Sequence, residues 1–296
     1  MRDRHESAAG YHVTADRREA LAGFTASLGI LLANARPVAA AVPPIAIAAG
    51  KLTQGGWARG QVANGFSLKL DGAPVPVDRA GGFFIAFDRD AGPRALLTGT
   101  SPDGVATSLP LTIAPRAWQI ERIDLPMRPG ALPDEEFLRR RALELAQINA
   151  ARAQNSPSDG WRQAMVWPLA GRLSGRFGSQ RIYRGMAASY HSGLDIARPA
   201  GVPFAAPADG VVVLAAAQPF TLEGHLLLID HGMGLNSAFL HCSALDFGVG
   251  HMVRQGQVIG RVGMTGRATG PHLHWSLKWR AAKLDPLLFL GPMPGS

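Results

Sequence analysis

Five potential metal-binding or catalytic groups fall in three short segments of the C-terminal third of this 296-residue chain. They are His191 and Asp195 in Tyr-His-Ser-Gly-Leu-Asp, His241 in Phe-Leu-His-Cys, and His272 and His274 in Pro-His-Leu-His-Trp. Neutral imidazoles and a carboxylate are donors that zinc takes in catalytic sites, where three protein groups leave a fourth position open for water. The set predicts hydrolytic chemistry. Seven of the nine histidines lie between His191 and His274, and a donor set spread this far along a chain needs a fold to assemble it.

The element that must present the last pair is legible. From His272 to Trp279, His, His, Ser and Lys occupy one parity and Leu, Trp, Leu and Trp the other, the period of a strand with one apolar face. His272 and His274 then project from the same side, close enough to share a site. An isolated His-x-His is more often a half-exposed polar face than a ligand pair. The added His191-x-x-x-Asp195, with Gly193 expected to let the backbone turn, shifts the balance toward a metal.

Taken with its flanks, the stretch from about Trp167 to Leu290 resembles the lysostaphin-type (LytM-like) zinc endopeptidases that cut peptidoglycan cross-bridges, whose motifs are His-x-x-x-Asp and a later His-x-His. The likeness extends to Phe177–Arg181, His191–Ala197, Ala206–Val212, Ile229–Gly232 and Gly263–Trp275. It implies that His191, Asp195 and His274 hold one zinc ion, that His241 and His272 are non-ligating catalytic histidines, and that the partners are peptidoglycan stem peptides and cross-bridges. Cys242 departs from the family's usual leucine, and His225 stands where a small residue is usual. A cell-wall targeting module is not apparent, which speaks against a toxin aimed at other bacteria.

Zinc held by two neutral imidazoles and one carboxylate keeps a net positive charge, lowering the pKa of bound water toward about 7 and polarising a peptide carbonyl. His241 and His272 then suit proton transfer and oxyanion stabilisation, in either division of labour. The remaining candidates take plainer readings. His231 is expected as a turn residue bonded to backbone, His225 and His251 as surface residues, and Asp209 and Asp230 as turn carboxylates. Arg267 and Tyr190 are read as structural rather than substrate-contacting. Cys242 adjoins His241, but neighbours on a strand face opposite ways, which disfavours a Cys-His dyad.

The N-terminus reads as a signal peptide over 1–41. Arg17-Arg18, which hints at twin-arginine export, precedes the apolar run Leu21–Ala33, too short for a comfortable span, and Ala39–Ala41 offers a cleavage site before Val42. The expected location is the periplasm or cell envelope, without stable membrane insertion of the mature chain. Residues 45–130 read as a small all-β accessory domain, a β-sandwich, with Asp71-Gly72 and Ser101–Gly104 as turns. A helical linker follows over 133–160, opened by Asp134, and then an antiparallel β catalytic domain over 161–296. The fold class is mainly β. A single cysteine precludes an intramolecular disulfide and a cysteine-based zinc knuckle.

The formal net charge of +8 becomes +7 once the leader's five arginines and four acids are removed. Such a balance suits a polyanionic wall; the charges are dispersed and no nucleic-acid motif accompanies them. Two other classes of function compete with the enzyme. A non-catalytic envelope regulator that activates wall amidases is disfavoured because all the ligand and catalytic positions are filled. A lipoyl-type carrier, suggested by the turn grammar of Gly250–Gly260, lacks its acceptor lysine.

Overall fold

A computed structural model describes residues 43–126 and 134–295. The expected leader with its cleavage site before Val42, the end of the expected accessory domain and Pro133 lie outside the described residues. The described residues belong to one compact unit. The fold is mainly β, with the 18-residue Glu135–Arg152 as its α-helix among the described residues.

The first part comprises two antiparallel sheets. One holds Ile45–Lys51, Trp57–Val62 and Gly82–Ala86; the other holds Ala73–Val75, Ser67–Leu70, Arg94–Thr100 and Ala106–Thr112. Asp71 and Gly72 both take positive φ, 48° and 82°, the left-handed pair that a tight primed hairpin turn requires. Ile45, Leu68, Phe83, Ile85, Leu97 and Leu111 are buried in a core that continues into Leu273, Trp275 and Leu284. All five residues of Gly82–Ala86 are buried. Phe84 meets Trp279 edge-on at 6.3 Å, and Trp57 stacks on Phe289 at 5.1 Å.

The helix begins as its sequence demands: the Asp134 carboxylate accepts a hydrogen bond from Phe137 N–H at 2.7 Å, and Glu135 and Glu136 sit at the positive end of the helix dipole. It docks through Ile148 and Ala151 onto Val213, Leu226 and Leu228, whereas Leu138 and Leu143 are 55% and 63% exposed. Its other buried side chain is Glu144, hydrogen-bonded by Thr221 N–H and hydroxyl at 2.7 Å each.

An eight-stranded sheet forms the second part. Its order is Met252–Val253, Gly210–Ala215, His225–Asp230, Leu235–Cys242, His272–Trp279, Leu194–Ala197 and Arg172–Gly175, with Ala282–Leu284 also paired to His272–Trp279. Leu273, Trp275, Leu277 and Trp279 enter the core, as their parity predicts. The helix covers part of the opposite face, over Gly210–Ala215 and His225–Asp230. The neighbouring part of that face carries His272 and His274.

Candidate metal centre

His191, Asp195 and His274 converge, with one donor atom from each within 4.8 Å of the others. His274 Nδ1 lies 2.8 Å from Asp195 Oδ1, His191 Nε2 lies 3.1 Å from the same oxygen, and the two ring nitrogens are 3.2 Å apart. Strand register produces this: Asp195 and His274 are direct cross-strand partners in the antiparallel pairing of Leu194–Ala197 with His272–Trp279, so their side chains share a face. His191 sits just before the strand, its backbone tied to the preceding loop by Gly178 N–H to His191 C=O and His191 N–H to Ser179 C=O, 2.8 Å each.

Two glycines make room. A Cβ on Gly175 would stand 2.3 Å from Asp195 Oδ2, and one on Gly193 would stand 2.6 Å from His274 Nε2 and 2.7 Å from the Trp275 carbonyl. Gly193 lies at the expected bend before Leu194–Ala197 without a positive φ, and it is the close approach of His274 and the Trp275 carbonyl that excludes a side chain there.

The donor chemistry fits a cation. His191 Nδ1 lies 3.1 Å from the Arg176 carbonyl, which can only accept, so the neutral ring carries its proton there and turns the Nε2 lone pair inward. Three electron-pair donors then face one point. A tetrahedral zinc site with bonds of about 2.0–2.1 Å has donor–donor edges of roughly 3.3 Å, close to the three separations above. Burial pushes the Asp195 carboxyl up, but the adjoining His191 and His274 rings outweigh it and hold it far below the usual carboxylate range. Burial holds His274 below its ordinary value against the pull of Asp195, while at His191 the Asp195 carboxylate outweighs burial and raises the ring. An ionised carboxylate beside a neutral, buried imidazole is the state a metal ligand set requires.

His241 and His272 face the same space. Their ring centroids are 5.0 Å apart, His241 is 6.2 Å from His274, and His272 Nε2 is 3.8 Å from Asp195 Oδ1. Each holds a backbone carbonyl with Nδ1, Thr265 for His241 and Gly270 for His272, both at 2.8 Å, so each neutral ring keeps its lone pair on Nε2. Burial lowers His241 below its ordinary pKa. Strand alternation alone would not bring His241 here, since its neighbour Leu240 already pairs with His274 and packs under the helix. A bulge between the His225/Cys242 and Leu227/Phe239 pairs, with His241 at φ 62°, turns the ring back onto the site face.

The other sequence candidates stay out of the centre. His231 is bonded to backbone as expected, at the Asp209 carbonyl, and to the Ser237 hydroxyl, 2.7 Å each, and Asp230 accepts from Gly232 N–H in its own turn and from Ser156 N–H; both side chains are buried. His225 is half-buried against the Ala216 carbonyl, and His251 is exposed. Cys242 is buried and its thiol is pushed up to about 12 by burial.

His191 and Asp195 open into a cleft of about 850 Å³ whose wall includes Gln119, Glu121, Arg176, Arg181, Tyr190 and Arg267. Sequence reasoning missed the Gln119 and Glu121 part of this wall, because Ile120–Ile123 leaves the first part to pair in parallel with Gln180–Tyr183. Arg89 also comes from the first part. It is 6% exposed, donates to the Gly178 carbonyl and Gln180 Oε1, and lies over the Trp118 and Tyr190 rings at 5.2 and 4.6 Å. Arg267, expected to be structural, is exposed and makes no side-chain hydrogen bond or ion pair among the described residues.

The profile of peptidase family M23 matches residues 189–286, the span holding all five groups. A putative peptidase M23 of known structure from Pseudomonas aeruginosa is 31% identical, with a TM-score of 0.63 over 81% of this chain and 95% of its own. This chain belongs to peptidase family M23. The DD-carboxypeptidase/endopeptidase Mpg of Neisseria meningitidis is 38% identical over 104 residues, 35% of this chain and 24% of that protein. The peptidoglycan DD-endopeptidase ShyA of Vibrio cholerae is 36% identical over 126 residues, 42% of this chain and 29% of that protein. The chain thus spans 24% and 29% of the length of these curated relatives.

Proposed function

We propose that this protein is a zinc-dependent endopeptidase that hydrolyses peptide cross-links of peptidoglycan in the bacterial envelope. The observation that carries this reading is the convergence of His191, Asp195 and His274 beside an open cleft, in a chain whose relatives include proteins named for peptidoglycan endopeptidase activity. In this reading those three residues hold one zinc ion, which when bound supplies a polarising charge for the scissile carbonyl and an acidified water. His241, neutral near pH 7 with its Nε2 lone pair free, and His272, whose Nε2 points to the same space, divide proton acceptance and oxyanion stabilisation between them. Arg176 C=O keeps His191 in the ligating tautomer.

Export belongs to the same proposal. The leader over 1–41, cleaved before Val42, carries the protein to the compartment where peptidoglycan lies, and no helix among the described residues is long and apolar enough to cross a membrane. Residues 45–130 act as an accessory module and 133–160 as a linker to the peptidase segment 161–296. The test is to digest purified sacculi with the chain beginning at Val42 and identify the fragments by mass spectrometry. Shortened cross-links are expected with the zinc-loaded protein and lost with His191→Ala, which should also lose its metal. Sacculi left intact by protein carrying stoichiometric zinc would refute the enzymatic reading in favour of a binding role.

A further inference from the structure

We infer that the cleft selects peptides bearing free carboxylates on both sides of the scissile bond, with Arg176 and Arg267 as the groups that read them; this rests on the peptidase reading. Both arginines line the cleft. Arg176 immediately follows Arg172–Gly175, the strand at one edge of the eight-stranded sheet. Arg267 lies in the loop before His272–Trp279 and donates its backbone N–H to the Leu222 carbonyl, on the flank toward His225–Asp230. Sheet order puts Asp195 and His274 between these two flanks. A peptide laid across the centre meets one guanidinium on each side.

The charges of the cleft make these two the free readers. Arg181 is spent on Glu121, 2.8 Å away, and Asp195 is engaged by His191 and His274. Neither Arg176 nor Arg267 makes a side-chain hydrogen bond or ion pair among the described residues, and both are exposed. Two unpaired guanidiniums on one concave wall repel each other and concentrate anions. Their planar forks match carboxylates bidentately, and the carboxylate is the anionic group a peptide offers. Amidation of those carboxyls removes the charge while leaving the peptide's shape almost unchanged, so it is the discriminating substrate change.

The experiment is calorimetric titration of the zinc-loaded chain from Val42 with a synthetic cross-linked peptide dimer, N-methylated at the scissile amide, in free-acid and amidated forms. The acid form should bind about tenfold tighter per carboxylate at low salt, an advantage that shrinks as sodium chloride is raised. Arg176→Gln and Arg267→Gln should each erase about tenfold for the acid form, and the double variant should bind both forms alike. Arg172→Gln, exposed on the neighbouring strand and outside the cleft wall, is the control expected to retain the preference. Equal binding of both forms by the wild type, no binding of either, or an equal loss for both forms in the variants overturns the inference. Cleavage of the unmethylated dimer is scored separately. A preference without cleavage sinks the endopeptidase reading alone, whereas cleavage without preference sinks the specificity alone.

Discussion

Gly175→Ala separates metal binding from folding, because the three nearest atoms the added methyl would meet all belong to Asp195. The new Cβ would stand 2.3 Å from Oδ2, 2.9 Å from Cγ and 3.2 Å from Cβ of Asp195. Ordinary contact begins near 3.4 Å, so the carboxylate must retreat by about 1 Å, half the length of a zinc–oxygen bond of about 2.0–2.2 Å. The backbone tolerates alanine here, since Gly175 φ is not positive. Overpacking costs about 1–3 kcal/mol, partly offset by about 0.4–1 kcal/mol from a less flexible unfolded chain. For a unit of this size a net loss of about 1 kcal/mol lowers Tm by about 2–4 °C. Zinc affinity should fall at least about 10–100-fold, the scale on which losing a ligand's orienting partner acts. Competition with a chromophoric chelator measures the affinity, and thermal melting in chelator measures the apo fold. Gly92→Ala, where a Cβ meets nothing within 4 Å, is the control. Wild-type zinc affinity in Gly175→Ala would falsify the placement of Asp195 as a ligand held by this packing.

Other perturbations probe different links. His241→Ala and His272→Ala should each keep zinc while turnover falls about 10²–10⁴-fold; near-normal hydrolysis by either variant removes that ring from the mechanism. Glu144 is pushed up by burial but held below its ordinary value of 4.5 by Thr221 and Arg141, so its contribution is present above about pH 4.5 and lost as pH falls through the lower folded value. Melting curves across that range should fall less steeply with acid in Glu144→Gln, and an unchanged slope would exclude the linkage. Cys242, with its thiol raised to about 12, should resist iodoacetamide at pH 8 in the native protein and react once unfolded, as mass spectrometry would register.

The strand His272–Trp279 was legible because its alternation is strict and its apolar parity is the buried one. The helix start was legible because Asp134 caps it, but its docking face was not: Leu138 and Leu143 face solvent, and Glu144 turns inward because Thr221 and Arg141 satisfy it. The route by which His241 reaches the site was hidden, since a bulge and a left-handed histidine leave no periodic trace. Gly175 carried a usable signal, an isolated glycine ending a strand, which often marks close approach of another group. Arg89 carried none, because its partners Gly178 and Gln180 lie about ninety residues away and only the folded chain brings them together.

The parallel pairing of Ile120–Ile123 with Gln180–Tyr183 bears on how such a protein can be divided and how it can diversify. A fragment cut at residue 161 would keep every donor group but expose the Gln180–Tyr183 edge that Ile120–Ile123 covers, and unpaired edges recruit other chains. It would also forfeit Arg89 and Trp118, which brace the loop behind His191. The reverse holds for change by mutation. Gln119 and Glu121 shape the cleft without being donor groups of the centre, so substitutions in that upstream segment alter what the cleft admits while the histidines stay untouched. Part of the cleft wall is thereby written apart from the donor groups and can drift without them.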